Sequence, residues 1–182
     1  KDLAFLSEVD ENGVILWRDD YDFTDQLDYI THIEKSGNKL IGCGYGYADD
    51  SGEFLEFYFK YDINSKTFDW IKKTTVNLKP ATIQVLTNGN YLMTGDEFGV
   101  DEFRIFLLEI DAENGKNIKY SNFIFSGKES ASTALIHNNS IYTGGRYGIE
   151  KRIDKYRGSI SKFDLNFNEV WSNYYLNYKD KF

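Results

Sequence analysis

The sequence predicts an all-β chain in which one antiparallel four-stranded unit is used repeatedly, and three observations carry that prediction. Tyr, Phe, Trp, Ile and Thr recur in short bursts, and aromatics alone make up 17% of the chain, which favours strands over helices. A motif of the form apolar, any residue, Glu or Lys, apolar, Asp occurs four times. A second, hairpin-like motif falls between those copies on the same interval.

The first motif opens the chain as "LSEVDENGVILW", Leu6 to Trp17. It returns as "YFKYDINSKTFDW", "LLEIDAENGKNIKY" and "ISKFDLNFNEVW". Its aspartates, Asp10, Asp62, Asp111 and Asp164, are spaced by 52, 49 and 53 residues. The aromatics that follow, Trp17, Trp70, Tyr120 and Trp171, are spaced by 53, 50 and 51. Each copy reads as a hairpin whose Asp caps backbone amides in the turn, with the aromatic expected to pack between adjacent sheets.

The second motif reads "THIEKSGNKLIGCGY", "TIQVLTNGNYLMTGDEF" and "TALIHNNSIYTGGRY". Each is a hairpin, because Ser36-Gly37-Asn38, Asn88-Gly89-Asn90 and Asn138-Asn139-Ser140 supply the positive-φ positions that a tight turn needs between alternating apolar strands. The second strand of each ends in glycine: Gly44, Gly95 and Gly144-Gly145. "KESASTALIH" has a helical composition but holds the phase of the two earlier inner strands, so it is assigned as a strand. One unit is therefore a hairpin, a glycine-terminated loop and a second hairpin. Four strands repeating at about 51 residues with a tryptophan near the outer strand is the pattern of a β-propeller blade.

The register divides the chain into an outer hairpin at 1–21 and units at 28–76, 81–124 and 131–176, three and a half blades in all. Only "SNYYLNYKDKF" follows Trp171, too little for the missing inner hairpin. The remaining blades are therefore expected from a longer parent chain or a partner. The first residue is Lys1 rather than Met, which fits a piece of a longer gene product.

These copies resemble the repeats of the β-propeller superfamily that includes quinoprotein-like repeats, kelch repeats and the propeller repeats of bacterial surface proteins. "VDENGVILW" and "EIDAENGK" look like the outer-hairpin turn of quinoprotein-like blades, and "SIYTGGRYG" followed by "SKFDLNFNEVW" is similar to kelch. The resemblance covers nearly the whole chain and implies a fold, on which many functions are hosted.

Charge and composition narrow the function classes. A net charge of −8 repels phosphate backbones and anionic headgroups, so nucleic acid is not an expected partner. No run approaches the length of a spanning helix, so direct membrane insertion is not expected. A single cysteine, Cys43, allows neither an intrachain disulfide nor a cysteine metal cluster. No Gly-x-Ser-x-Gly, P-loop or Rossmann fingerprint occurs. No cofactor and no metal are expected.

Four further groups bear on chemistry. The acidic stretches "YADDSGE" (47–53) and "DEFGVDE" (96–102) lack the alternating spacing of a calcium loop and read as solvated loops. His32 and His137, on corresponding inner strands, approach the channel without a third ligand for zinc. Cys43 reads as a buried, inert thiol. The loops after the glycines carry the binding candidates: Tyr45 and Tyr47, Glu97 and Phe98, Arg146 and Tyr147. Tyr, Phe and Arg suit an interface, and in a propeller these loops converge at the channel mouth.

The reading is a non-enzymatic binding or scaffolding module for a protein or glycan partner, in an extracellular or cell-surface assembly of bacterial or phage origin. The alternative is a propeller-class glycan hydrolase or lyase using loop carboxylates; a third reading is purely structural padding of a large assembly.

Overall fold

A computed structural model describes residues 3–24, 27–47, 54–74, 77–98, 103–123, 128–148 and 156–175. Every regular element among them is a strand, including Lys128–His137, whose composition is helical. The strands fall into four antiparallel sheets in chain order. β1 (Ala4–Val9) and β2 (Ile15–Tyr21) form a two-stranded sheet. β3 (Asp28–Ser36), β4 (Lys39–Tyr47), β5 (Phe54–Asp62) and β6 (Thr67–Thr74) form the second sheet. β7 (Leu78–Val85), β8 (Tyr91–Phe98), β9 (Phe103–Ile110) and β10 (Asn117–Phe123) form the third. β11 (Lys128–His137), β12 (Ser140–Gly148), β13 (Tyr156–Asp164) and β14 (Glu169–Tyr175) form the fourth.

The turns explain why the chain reverses where it does. Asp10 Oδ1 accepts from the amides of Asn12 and Val14, at 2.9 and 2.8 Å. Asp62 does the same for Asn64 and Ser65, Asp111 for Glu113 and Asn114, and Asp164 for Asn166 and Asn168. These carboxylates are turn caps. The Lys39 ammonium, 2.7 Å from Asp62, together with the turn amides holds the Asp62 carboxyl down at about 2. In the last inner hairpin Asn138 and Asn139 take φ of 47° and 55°, the paired positive φ of a two-residue type I′ turn.

Because side chains alternate across a strand, each sheet presents one face to the sheet before it and one to the sheet after it. The first seam is aromatic: Phe23 stacks on Phe57 and Phe59, at centroid distances of 4.2 and 5.4 Å, beside Leu6 and Tyr61. The second packs Cys43, Tyr58 and Trp70 against Met93, Phe106 and Leu108. The third packs Leu92 and Leu107 against Ile141, Phe163 and Phe167. Among the described residues, two faces of this succession have no sheet over them. Phe5 and Val9 are 50% and 54% exposed on the first sheet, and Leu135, Trp171 and Tyr175 are 58%, 37% and 52% exposed on the fourth.

The register corrects one expectation. Trp17, Trp70 and Trp171 stand opposite Glu8, Lys60 and Lys162, each two residues before its turn Asp. In the third sheet that place, opposite Glu109, belongs to Lys119 and not to Tyr120. The same bulge occurs in all four outer hairpins, so the offset lies in the sequence: Tyr120 stands 9 residues after Asp111, where Trp17, Trp70 and Trp171 stand 7, 8 and 7 after their aspartates, and one residue of slip turns a side chain to the other face. Lys119 then covers the next sheet in the way a tryptophan does elsewhere, its Nζ lying 4.3 Å from the Phe167 ring centroid. Tyr120 turns back toward the second sheet and stacks on Phe106 at 6.4 Å.

No helix among the described residues is long and apolar enough to cross a membrane.

Candidate functional site

The three inner strands share a device that repetition alone does not reveal. Each breaks register once, between Ile30 and His32, Pro80 and Thr82, and Ala131 and Thr133. Each bulge leaves one unpaired residue, Thr31, Ala81 or Ser132, directly after the residue that pairs with Gly44, Gly95 or Gly145. The glycines are required by this approach: a methyl on Gly44 would land on the Tyr29 carbonyl oxygen, one on Gly95 on that of Lys79, and one on Gly145 on that of Ser130. Gly144, its neighbour in the double glycine, has only a Thr133 methyl at 3.2 Å from such a position. Gly145→Ala is therefore expected to destabilise the chain by about 1–3 kcal/mol through backbone displacement, while Gly144→Ala is neutral or slightly stabilising. Urea unfolding of both variants checks this, and equal losses would remove the bulge as the reason for the glycine.

The three bulge residues line one open pocket of about 500 Å³. Around this common backbone the side chains differ from sheet to sheet. The residue before each glycine-facing bulge pair is Tyr29, Lys79 or Ser130, and the residue after each glycine is Tyr45, Asp96 or Arg146. Asp96 accepts from the Ser130 hydroxyl at 2.9 Å and from the Ala131 amide at 2.8 Å, which ties the third sheet to the fourth. Burial pushes the Asp96 carboxyl above the usual range, opposed by those two donors and by the charges of Lys79 and Arg146. Lys79 also reaches back, its Nζ lying 5.0 Å from the Tyr45 ring centroid.

Next to this pocket runs a ladder of rings. Tyr29 stacks on Tyr45 at 5.2 Å, Tyr45 and Tyr47 meet Phe54 at 5.6 and 5.2 Å, and Phe54 stacks on Phe98 at 5.1 Å across the seam to the third sheet. The sequence candidates thus separate into groups. Tyr45, Tyr47 and Phe98 come together in the ladder, and Arg146 lines the pocket. Glu97 turns to the opposite face of its sheet, where it accepts from the Asn122 side chain at 2.7 Å. Tyr147 pairs with Glu129 and Arg157 in the fourth sheet, and its side chain lies outside the described residues. Residues 48–53 and 99–102 also lie outside them.

Sequence reasoning passed over Lys79 and Ser130, and it read Asp96 as part of a solvated acidic loop, whereas Asp96 lies in β8 with its carboxylate held by Ser130 and Ala131. The signal was present in the position immediately after each glycine: aligned strictly, Asp96 and not Glu97 corresponds to Tyr45 and Arg146. The histidines are also separated. His32 sits mid-strand opposite Cys43 and accepts from the Ile83 amide at 3.3 Å, whereas His137 ends its strand opposite Ser140 at the hairpin. Cys43 is fully buried, and burial pushes its thiol up to about 12.

No family model matches the sequence, and no curated protein matches it. Among solved structures, the chain is similar to an acylaminoacyl peptidase from Pyrococcus horikoshii, with a TM-score of 0.52 and 7% sequence identity over 84% of this chain. It spans 26% of that structure's length. A protein of unknown function from Bacteroides caccae aligns over 100% of this chain and 96% of its own, at 11% identity and a TM-score of 0.30. At such identities the first likeness concerns the fold alone, and it fits a propeller-like succession of sheets; the second score is too low to bear on it.

Proposed function

We propose that the chain is a non-enzymatic binding module, three and a half blades of a propeller whose remaining blades come from a longer parent chain or a partner, and that it belongs to an exported or surface assembly. Its loop face, from the aromatic ladder to the bulge pocket, is the face that holds a partner. One observation carries the reading: the bulges repeat in three sheets while the side chains around them change, so a constant frame presents different chemistry from each sheet to a single pocket. Binding sites are concave places where a few polar groups converge beside apolar ones, and Tyr and Arg are the side chains that anchor interfaces. A protein segment fits better than a glycan, because the faces of Tyr45 and Phe54 are taken up by neighbouring rings and by Lys79, leaving little free ring surface for a sugar to lie on.

The test is selection of peptides from a random display library on the immobilised chain, followed by titration of the selected peptides against the triple variant Tyr45→Ala, Phe98→Ala, Arg146→Ala. Loss of at least tenfold in affinity is expected. Equal affinity for the variant, or release of product from a glycan panel incubated with the chain, would overturn the reading.

A further inference from the structure

One edge of β1 carries no strand among the described residues, and the three complete sheets show what belongs there. β1 runs into its turn aspartate as β5, β9 and β13 run into theirs. Each of those three is paired on both sides, with β4, β8 or β12 on the inner side, whereas β1 is paired with β2 alone. The second strand of one sheet also lies on the inner strand of the next: β4 packs on β7, and β8 on β11. At β1 that place is a groove of about 470 Å³, walled by residues 3–7, by residues 28–33 of β3 and by Leu40.

A residue of β3 registers the difference. Ile33 pairs with Gly42, and a methyl on Gly42 would land on the Phe59 ring of the first seam, so Ile33 faces the first sheet, because opposed residues share a face. Ile33 is 47% exposed. Ile83 and Ala134 hold the same place after their bulges and are 0% and 7% exposed. Ile83 is covered by Ile41 and Cys43 of β4. The pairing repeats as well. Gly44, Gly95 and Gly145 stand opposite Phe57, Phe106 and Ser159, each the fifth residue before its turn aspartate, a place that Phe5 holds in β1. One residue before each glycine comes a small residue, Cys43, Thr94 or Gly144, and three before it an apolar or aromatic one, Ile41, Leu92 or Tyr142.

We propose that this groove receives a β-hairpin from a partner chain, whose second strand pairs antiparallel with β1 and reads apolar, any residue, small, glycine. Its glycine stands opposite Phe5, its apolar residue stands opposite Glu8, and the strand covers Ile33. Main-chain hydrogen bonds along an open edge supply the attraction, and the alternate side chains supply the selectivity. The inference rests on the reading that the remaining blades come from outside, and it is independent of the loop face. A second copy of the chain offers no such hairpin, because each of its three is already paired with a third strand.

The probe is an acetylated, amidated peptide with the sequence of residues 79–97, the inner hairpin of the third sheet. Added to the intact chain, it is expected to slow exchange of the β1 amides that point away from β2 and to leave β9 unchanged. Register is read by disulfide trapping between Ser7→Cys in the chain and a cysteine in the peptide; Cys43 is buried and does not compete. The Met93→Cys peptide, whose thiol would face position 7 as Met93 faces Leu108, is expected to cross-link at least ten times faster than the Leu92→Cys or Thr94→Cys peptide. One residue of slip turns the thiol to the other face. Ile33→Ser in the chain is expected to slow trapping several-fold at an unchanged unfolding midpoint. Equal trapping of the three peptides would overturn the proposal, as would exchange that slows in β9 or β14 instead of β1. So would β1 amides already protected in the chain alone, which sedimentation then assigns to a second copy if the chain is a dimer and to a segment of the chain itself if it is a monomer. The loop face stands or falls separately, on peptides whose binding depends on Tyr45, Phe98 and Arg146.

Discussion

Trp70→Ala is expected to lower the free energy of unfolding by about 3–5 kcal/mol, the range for removing a large buried aromatic. Trp70 is 9% exposed and fills the seam between the second and third sheets. It meets Tyr58 edge-on at 6.1 Å and Tyr91 at 6.2 Å. Gly115 lies so close beneath its ring that a methyl there would stand 2.9 Å from Cε3, so neighbouring backbone has little room to collapse into the space left behind. Trp171 occupies the same register position in the fourth sheet but is 37% exposed, with Tyr142 as its ring neighbour at 6.3 Å. Trp171→Ala is expected to cost less than half as much. Equilibrium denaturation of the two variants side by side is the check. Equal losses would mean that the outer face of the fourth sheet is covered in solution and that the succession of sheets does not end there.

The second large effect is a dependence on pH that a single carboxyl produces. Glu56 is 1% exposed in the seam between the second and third sheets. Thr74 donates to its Oε1 at 2.7 Å, and Oε2 has no hydrogen-bond partner among the described residues. Among the described residues no cation acts on it; its charge is felt by Cys43 and Tyr58 from its own sheet and by Tyr120 from the third. Burial therefore pushes its carboxyl up to about 7 from an ordinary 4.5, with the Thr74 hydroxyl opposing. A group whose pKa is raised on folding stabilises the fold below its unfolded value and ceases to as pH rises. Between about pH 4.5 and 7 the unfolded chain releases this proton while the fold retains it, and stability falls by about 1.4 kcal/mol per pH unit. The loss levels off above pH 7 at roughly 3 kcal/mol. Urea titrations of the parent chain and of Glu56→Gln at pH 5 and pH 8 measure it. The parent is expected to lose stability over that interval relative to the variant, and parallel behaviour would show that Glu56 reaches water or a donor in solution.

The outer turns were legible in the sequence because their cause is local. An aspartate that caps amides two to four residues on, followed three or four residues later by a residue at positive φ (Gly13, Lys66, Gly115 or Phe167), reverses the chain by local bonds alone, so Asp10, Asp62, Asp111 and Asp164 could be assigned before any contact was known. The strands between them follow from alternation and from a common interval, which also settled "KESASTALIH" against its helical composition. The candidate site was legible only in part. Gly44, Gly95 and Gly145 stand at the level of the bulges, and of the proposed residues Tyr45 and Phe98 lie in the ring ladder and Arg146 lines the pocket. Counting by residue character rather than by position then selected Glu97 in place of Asp96, and the two point to opposite faces of one strand.

What the sequence determined by itself, then, is everything whose energy is spent within a few residues: the turns, the strands and the beat at which they return. Tertiary structure alone decided which side each residue faces, because a single bulged residue reverses that side and a bulge is stabilised by the neighbouring strand. So Lys79 and Asp96 from the third sheet meet Ser130 and Arg146 from the fourth, and Glu56 is enclosed without a cation among the described residues. Each of those outcomes depends on a contact between segments tens of residues apart, and no periodicity in the chain encodes the register in which two sheets meet.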